Sequence, residues 1–228
     1  MEQINKVKSI SIWIFIVPFV AVNTCLILIT QFQELFPNQE DIIHNTIPYF
    51  DGGASISRTA RPYPSWLVFK PAMFLTSFLL IKYWLFNKAV VSSFEKNHKY
   101  INKFVYFGIA SAIALTVHSI FLGIKFDNDF YKLFIRLNLF FTLIFAITSK
   151  IYFVNNLRKI NKNYLKNLNN SLIKTKIFIT SFIIILAIVI IPTLPFINFK
   201  NLKYIIEWNY YILIFTFYLS TFFLFKKN

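Results

Sequence analysis

Acidic side chains are scarce in this sequence, nine Asp and Glu against 24 Lys and Arg, and only 14% of its residues are charged. Soluble domains carry about 25% charge and about 45–50% apolar residues; here 57% are hydrophobic, so polar surface cannot cover the chain in water. Lipid is the expected surrounding. One cysteine, Cys25, lies in the middle of an apolar run. It excludes an intrachain disulfide, disfavours a thiolate and reads as a small core residue. The three histidines, His44, His98 and His118, fall on separate segments and cannot converge on one ion, so neither a metal site nor a cofactor is expected.

No G-x-S-x-G or comparable nucleophile signature occurs. The nearest approach is Ser55 or Ser57 with His44 and Asp51 in one polar stretch, residue types that are commonplace in loops. No catalytic residue is assigned, and the balance leans away from an enzyme.

What the chain does have is long apolar runs. Six reach roughly the 20 residues that cross about 30 Å of hydrocarbon: Ile10–Thr30, Trp66–Phe86, Phe104–Ile124, Leu133–Phe153, Ile177–Ile197 and Trp208–Phe225. They lack the dyad alternation of a barrel, and unpaired backbone is costly in lipid. The expectation is an all-α polytopic membrane protein, a single domain of six transmembrane helices. The first run is too long for a signal peptide and no small-x-small site follows it, so it reads as a retained helix. Pro18 is placed to kink it, and Pro192 and Pro195 to break the fifth span near its end.

The net charge of +15 suggests nucleic acid until its distribution is read. Between the spans lie an outer loop, 31–65, and basic inner loops, 87–103 and 154–176. The outer side carries Arg58, Arg61, Lys70, Lys125, Lys132, Arg136, Lys200 and Lys203, with seven of the nine acids; the other 16 of the 24 basic residues fall on the inner side. By the positive-inside rule both termini are cytoplasmic, or in the matrix if the gene is organellar. The partner implied is membrane lipid, not nucleic acid. In the stretch Asn155–Lys176, Leu157, Ile160, Tyr164, Leu168 and Leu172 recur at helical steps. This fits either a short amphipathic helix on the inner leaflet or a polar connector.

Polar groups within the spans carry the functional signal, because each is costly in hydrocarbon. Lys70 and Arg136 sit about one turn inside the second and fourth spans, and His118 about a turn and a half inside the third. All three share an outer depth beneath Arg58 and Arg61. Convergence would make an electropositive recess suited to the phosphate or carboxylate of a lipid headgroup, with Asp51, Asp127, Asp129 or Glu207 as the internal alternative. Taken singly, Lys70 and Arg136 read first as snorkelling cations, as Lys82 does at the opposite end. The outer loop reads as a shaped lid. Gly52 and Gly53 permit positive φ, Ser57 offers a hydroxyl, Pro62 and Pro64 stiffen its return, and Trp66 anchors the second span.

The order Pro48-Tyr49, Ile56-Ser57-Arg58-Thr59-Ala60, Pro64, Phe69 and Met73 resembles the first-loop signature of the DRAM family (damage-regulated autophagy modulators), relatives of the post-GPI-attachment remodelling factors. The small residues Gly108, Ala110, Ser111 and Ala112 opening the third span fit it as well. Arg58 stands where that family has Asp and Ala60 where it has Gly. Pro48-Tyr49-Phe50-Asp51-Gly52 is a second alignment that restores both. The resemblance implies lipid handling or lipid-dependent signalling. The alternative is an accessory subunit of a larger membrane assembly from an AT-rich genome, with other membrane subunits as partners. Proton-coupled transport is disfavoured, because no span contains an Asp or Glu.

Overall fold

The computed structural model describes residues 2–94, 101–124, 128–163, 168–190 and 201–225; these are mainly helical, with irregular turns between the helices, above all over 42–55. The main elements are α1 (Glu2–Gln31), the single-turn α2 (Ile56–Ala60), α3 (Ser65–Phe94), α4 (Ile101–Phe121), α5 (Asp129–Asn163), α6 (Asn170–Ile185) and α7 (Leu202–Leu224). Five helices are long and apolar enough to cross a membrane: α1, α3, α4, α5, and α6 with its continuation to Ile188. They are compatible with an integral membrane protein. The sixth expected span, α7, is 23 residues long but stands outside that set. Lys203, Glu207, Asn209 and four tyrosines dilute its hydropathy.

Several polar residues inside these helices are tied to their own backbone. Ser11 Oγ donates to the carbonyl of Val7 at 2.7 Å, Thr76 to Ala72 at 2.7 Å, Asn87 to Tyr83 at 2.8 Å and Thr142 to Asn138 at 2.7 Å, each four residues back. A donor satisfied within its own helix adds little desolvation in lipid. Pro18 and Pro71 lie within α1 and α3, and both helices run through them.

Helix ends differ from the sequence expectation wherever an apolar stripe runs on beyond the hydrophobic stretch. α3 continues past Phe86 with Val90 and Val91 buried, and α5 continues past Phe153 with Leu157 and Ile160 almost fully buried. The supposed inner loop 154–176 is therefore largely the end of α5 and the start of α6. The stripe Leu157, Ile160 and Leu168 belongs to the main core, so it is packed against protein and does not lie on a leaflet; Tyr164 is outside the described residues. α6 starts at Asn170, capped by Asn169, whose side chain accepts from the Ser171 N–H at 3.1 Å. It loosens into a π-type turn over Leu186–Ile190; Pro192 and Pro195 lie outside the described residues. α4 stops at Phe121, where Gly123 takes φ +88°, a left-handed turn of the kind that closes helix C-termini.

The helices alternate in direction and close a ring: α1 packs on α3, α3 on α4, α4 on α5, α5 on α6, α6 on α7 and α7 on α1. At the end that carries the chain termini, the ring is filled by an aromatic plug of Tyr83, Trp84, Phe104, Phe153, Phe217 and Tyr218, none more than 2% exposed. Their rings meet edge to face: Tyr83 and Trp84 at 4.9 Å between centroids, Tyr83 and Tyr218 at 5.2 Å, Trp84 and Phe153 at 5.7 Å. At the opposite, loop-bearing end, Val22, Cys25, Ala60, Phe69, Met73, Leu122 and Trp208 form a smaller core.

The 32–64 segment is held onto α1 and α7. Tyr49 donates its hydroxyl to Asn23 Oδ1 at 3.0 Å and packs edge-on to Trp208 at 4.8 Å. Trp208 Nε1 donates to the Ala54 carbonyl at 2.8 Å, and the Ile56 N–H donates to Glu207 at 3.1 Å. Gly52 has φ +62°, and a Cβ there would run into the carbonyl oxygen of Asn201. Asp51 organises the turn by accepting from the Thr46 hydroxyl at 2.6 Å and from the Ile47 and Gly53 N–H groups at 2.8 Å each. Its slight burial raises the pKa, but these hydrogen bonds to the ionised form prevail and hold it below the usual carboxylate value of 3.8.

A carboxylate depressed in the folded state stabilises the turn above its unfolded pKa and loses that contribution as pH falls through the lower, folded value. Amide exchange at Ile47 and Gly53 is thus expected to stay protected down to about pH 4 and to open below it. Asp51→Asn should open both amides at every pH. Equal protection in the variant at pH 6 would remove Asp51 from this role.

Candidate ligand-binding cavity

Between the aromatic plug and the 32–64 segment lies a half-open cavity of about 1220 Å³, above the roughly 300–1,000 Å³ of sites for drug-sized ligands. Its walls come from α3, α4, α5, α7 and the Ser55–Arg61 turn, and its floor is Ala146 and Tyr218. From Lys203 at the mouth to Tyr218 is fifteen residues of α7, and from Lys132 to Ala146 fourteen of α5. At 1.5 Å per residue the two paths are about 21–23 Å deep. α5 and α7 face each other across this space and meet through side chains at the plug, where Lys150 reaches Tyr218.

Polarity changes along the depth. The mouth carries Arg61, Lys132, Arg136 and Lys203, with Glu207 the acid among the lining residues; Leu139, Leu143, Ile214 and Phe215 line the deeper walls. Glu207 is bound to the Ile56 N–H, and Lys132 is paired with Asp129 at 3.0 Å. Four cations against two acids, Glu207 and Asp129, leave the mouth net positive. A positive rim in a low-dielectric site attracts an anion.

Of the residues singled out in the sequence, Arg61, His118 and Arg136 are brought together around this cavity, as is Ser57. Arg61 lies across the left-handed turn at Gly123, where a Cβ would come within 3.1 Å of Arg61 Cγ. His118 is half-buried, and its Nδ1 has no hydrogen-bond partner among the described residues. Arg58 and Lys70 are not among the lining residues. Arg58 is exposed on α2; Lys70 donates to the Ile120 carbonyl at 3.1 Å, at the C-terminal end of α4, and lies 5.6 Å from the Trp66 ring centroid. That placement suits a cation near a helix C-terminus. Gly52 and Gly53 stand in the Asp51 turn, while Pro62 and Pro64 accept from the Trp66 and Leu67 N–H groups and lead into α3.

The Ser, His and Asp of the loop go to separate partners. His44 pairs with Gln33 at 3.1 Å, Asp51 with Thr46, and Ser57 with Ser55 at 3.2 Å. No group of three metal-ligating side chains occurs among the described residues; His98 is outside them. Cys25 is buried and contacts the Ser65 carbonyl at 3.4 Å.

Two residues stand out that the charge pattern had assigned to the aqueous inner side. Lys150 is 1% exposed and Lys176 is 0% exposed. Lys150 Nζ donates to Tyr218 Oη at 3.2 Å and the Ala146 carbonyl at 3.3 Å; Lys176 Nζ donates to the Phe217 carbonyl at 2.6 Å and Thr221 Oγ1 at 2.8 Å. Both ammonium groups lie over the Phe217 ring, 5.5 and 3.9 Å from its centroid, within the range of cation–π attraction. The helical stripes Ala146, Lys150, Phe153, Leu157 and Lys176, Ile179, Thr180, Ile183 would have revealed them. So would Lys203, Glu207, Tyr210, Ile214 and Tyr218 for the cavity face of α7.

Comparison with family profiles, curated proteins and solved structures finds no match to this chain.

Proposed function

We propose that the chain is a six-span integral membrane protein that holds an anionic lipid in the ring cavity, its headgroup at the outer leaflet and its acyl portion against the deeper walls. In this reading α7 is the sixth span. The 32–64 segment is an extracytoplasmic lid, both termini are cytoplasmic, and the DRAM-like loop residues accord with lipid handling. The crossing of α7 is supported by its place in the ring, which shields its polar face from lipid. The orientation rests on the 16 to 8 distribution of Lys and Arg.

The observation that carries the proposal is the polarity gradient. A cationic mouth leads into about 15–17 Å of mainly apolar wall, roughly half of the hydrocarbon thickness, from Arg136 to Ala146 on α5 and from Glu207 to Tyr218 on α7. A headgroup phosphate fits Arg61 and Arg136, which can bind it in bidentate fashion.

Purification in mild detergent followed by native mass measurement tests this. The wild-type protein is expected to carry bound anionic phospholipid, and the Arg61→Leu/Arg136→Leu protein to lose at least tenfold of it, by about 1.5–3 kcal/mol for each charged contact removed. Equal retention by the two proteins refutes the lipid site. A stoichiometric protein complex with no bound lipid would favour the accessory-subunit reading instead.

A further inference from the structure

The lipid reading uses one apolar slot beside α7, and a second lies along the next face of the same helix. It is a half-open groove of about 440 Å³ between α6 and α7, walled by Phe182 and Leu186 from α6 and by Ile205, Leu213 and Thr216 from α7. α6 is tied to α7 in its inner part, where Lys176 donates to the Phe217 carbonyl at 2.6 Å. It loosens into the π-type turn over Leu186–Ile190 farther out, where the groove lies. Ile206 and Tyr210, one turn apart on α7, line both the groove and the larger cavity. They form the ridge between the two spaces.

The two slots match in depth and differ in polarity. From Ile205 to Thr216 the groove follows eleven residues of α7, about 16–17 Å at 1.5 Å per residue. The apolar wall of the cavity, from Glu207 to Tyr218, also follows eleven. Each slot is thus about half of the hydrocarbon thickness, the depth of a single leaflet. The groove has no charged residue among its lining side chains. Its amide, Asn209, donates to the Tyr49 and Ile205 carbonyls at 2.9 Å each and is occupied within the protein. The groove therefore offers a charged headgroup no counter-ion of its own. The cations stand next door, with Lys203 one turn before Ile206 on α7 and Arg136 across the cavity on α5.

We propose that the ligand is a two-chain anionic phospholipid straddling this ridge, its phosphate at the cationic mouth, one acyl chain in the cavity and the other in the groove between α6 and α7. The inference rests on the lipid reading of the cavity and adds the class of lipid: diacyl, not single-chain. Ile206 and Tyr210 pass between the two chains, below the backbone that joins them. A chain leaving the bilayer for such a slot gains packing contacts, since both surroundings are apolar. Two slots of one leaflet's depth give that gain to two chains, while a single headgroup site allows one lipid.

The test incubates the full chain in mild detergent with equimolar dioleoyl phosphatidylglycerol and its one-chain lyso form, and reads bound lipid by native mass measurement. The wild-type protein is expected to carry one diacyl molecule per chain and to prefer it at least tenfold over the lyso form. Leu213 lines the groove and is not among the cavity-lining residues. Leu213→Trp fills the groove and should lower diacyl retention at least tenfold while leaving lyso retention within twofold. Monodispersity checks that the variant is folded; if it is not, Thr216→Trp, at the deep end of the groove, takes its place. Unchanged diacyl retention in the folded, groove-filled protein overturns the proposal. So does equal retention of the two lipids by the wild type, or two lyso molecules per chain, which would make the groove the site of a separate lipid. In each of these cases lipid still binds, and its loss from the Arg61→Leu/Arg136→Leu protein leaves the cavity reading standing. A wild-type protein that retains neither form overturns both.

Discussion

Gly108→Val is expected to destabilise the protein by about 3 kcal/mol or more, at the upper end of overpacking substitutions. Gly108 lies on α4 against Trp84 of α3, and even a single Cβ there would overlap the five-membered ring of the indole. The indole cannot yield. It is 1% exposed and enclosed by Tyr83, Phe104, Phe153 and Tyr218, with ring centroids 4.9, 5.9, 5.7 and 6.0 Å away. The helices must therefore separate, and with them the seam between α3 and α4. Thermal unfolding in detergent, read by tryptophan emission, measures the loss. Because Trp84→Leu makes room at the same point, the double variant should be less damaged than the two single effects added together. A Gly108→Val protein within about 0.5 kcal/mol of wild type, the range of an ordinary surface substitution, would mean the two helices do not meet there.

The second large effect concerns the buried ammonium groups, where removing a partner and removing the charge should act in opposite directions. Thr221 accepts from Lys176 at 2.8 Å and shares a hydrogen bond with Tyr83 at 2.8 Å. Thr221→Val keeps the shape but strips both, leaving a buried cation short of an acceptor, and is expected to cost about 2–3 kcal/mol. Lys176→Met keeps the long apolar stem and removes the charge. Buried ions replaced by apolar residues of similar volume are commonly neutral or stabilising, so this variant should unfold at or above the wild-type temperature. If Lys176→Met proves the more damaging of the two, the ammonium is a net source of stability and its retention needs no functional reason. The expected order means that the buried Lys176 ammonium costs the fold stability.

The helical, lipid-compatible character of the chain follows from composition and run length alone, because both depend on residue type and not on partners. Lipid penalises unpaired backbone and charge wherever they occur, so the positions of α1, α3 and α4 were legible to within a few residues at their loop-bearing ends. The far ends were less so. α3 and α5 continue through Val90, Val91, Leu157 and Ile160, where helical periodicity outlasts mean hydropathy. The sixth helix shows the same limit from the other side. Its run Trp208–Phe225 was readable in the sequence, but tyrosines and Asn209 keep it outside the five helices apolar enough to cross a membrane, and its neighbours in the ring place it.

At the cavity, His118 and Arg136 were readable as polar residues at one depth, with Arg61 on the loop above them. That Lys70 instead turns to the Ile120 carbonyl depends on where α4 ends, which is a matter of packing. Lys150 and Lys176 went unread for a physical reason: in the sequence they look like the basic residues that end a span, and only the ring decides that they point inward, over Phe217, and away from water. Residue chemistry gave this protein its membrane-compatible helices and its excess of basic residues. The closing of six helices around a shared axis decided which of those charges water never reaches, because a helix fixes the direction of a side chain but its neighbours fix what lies there.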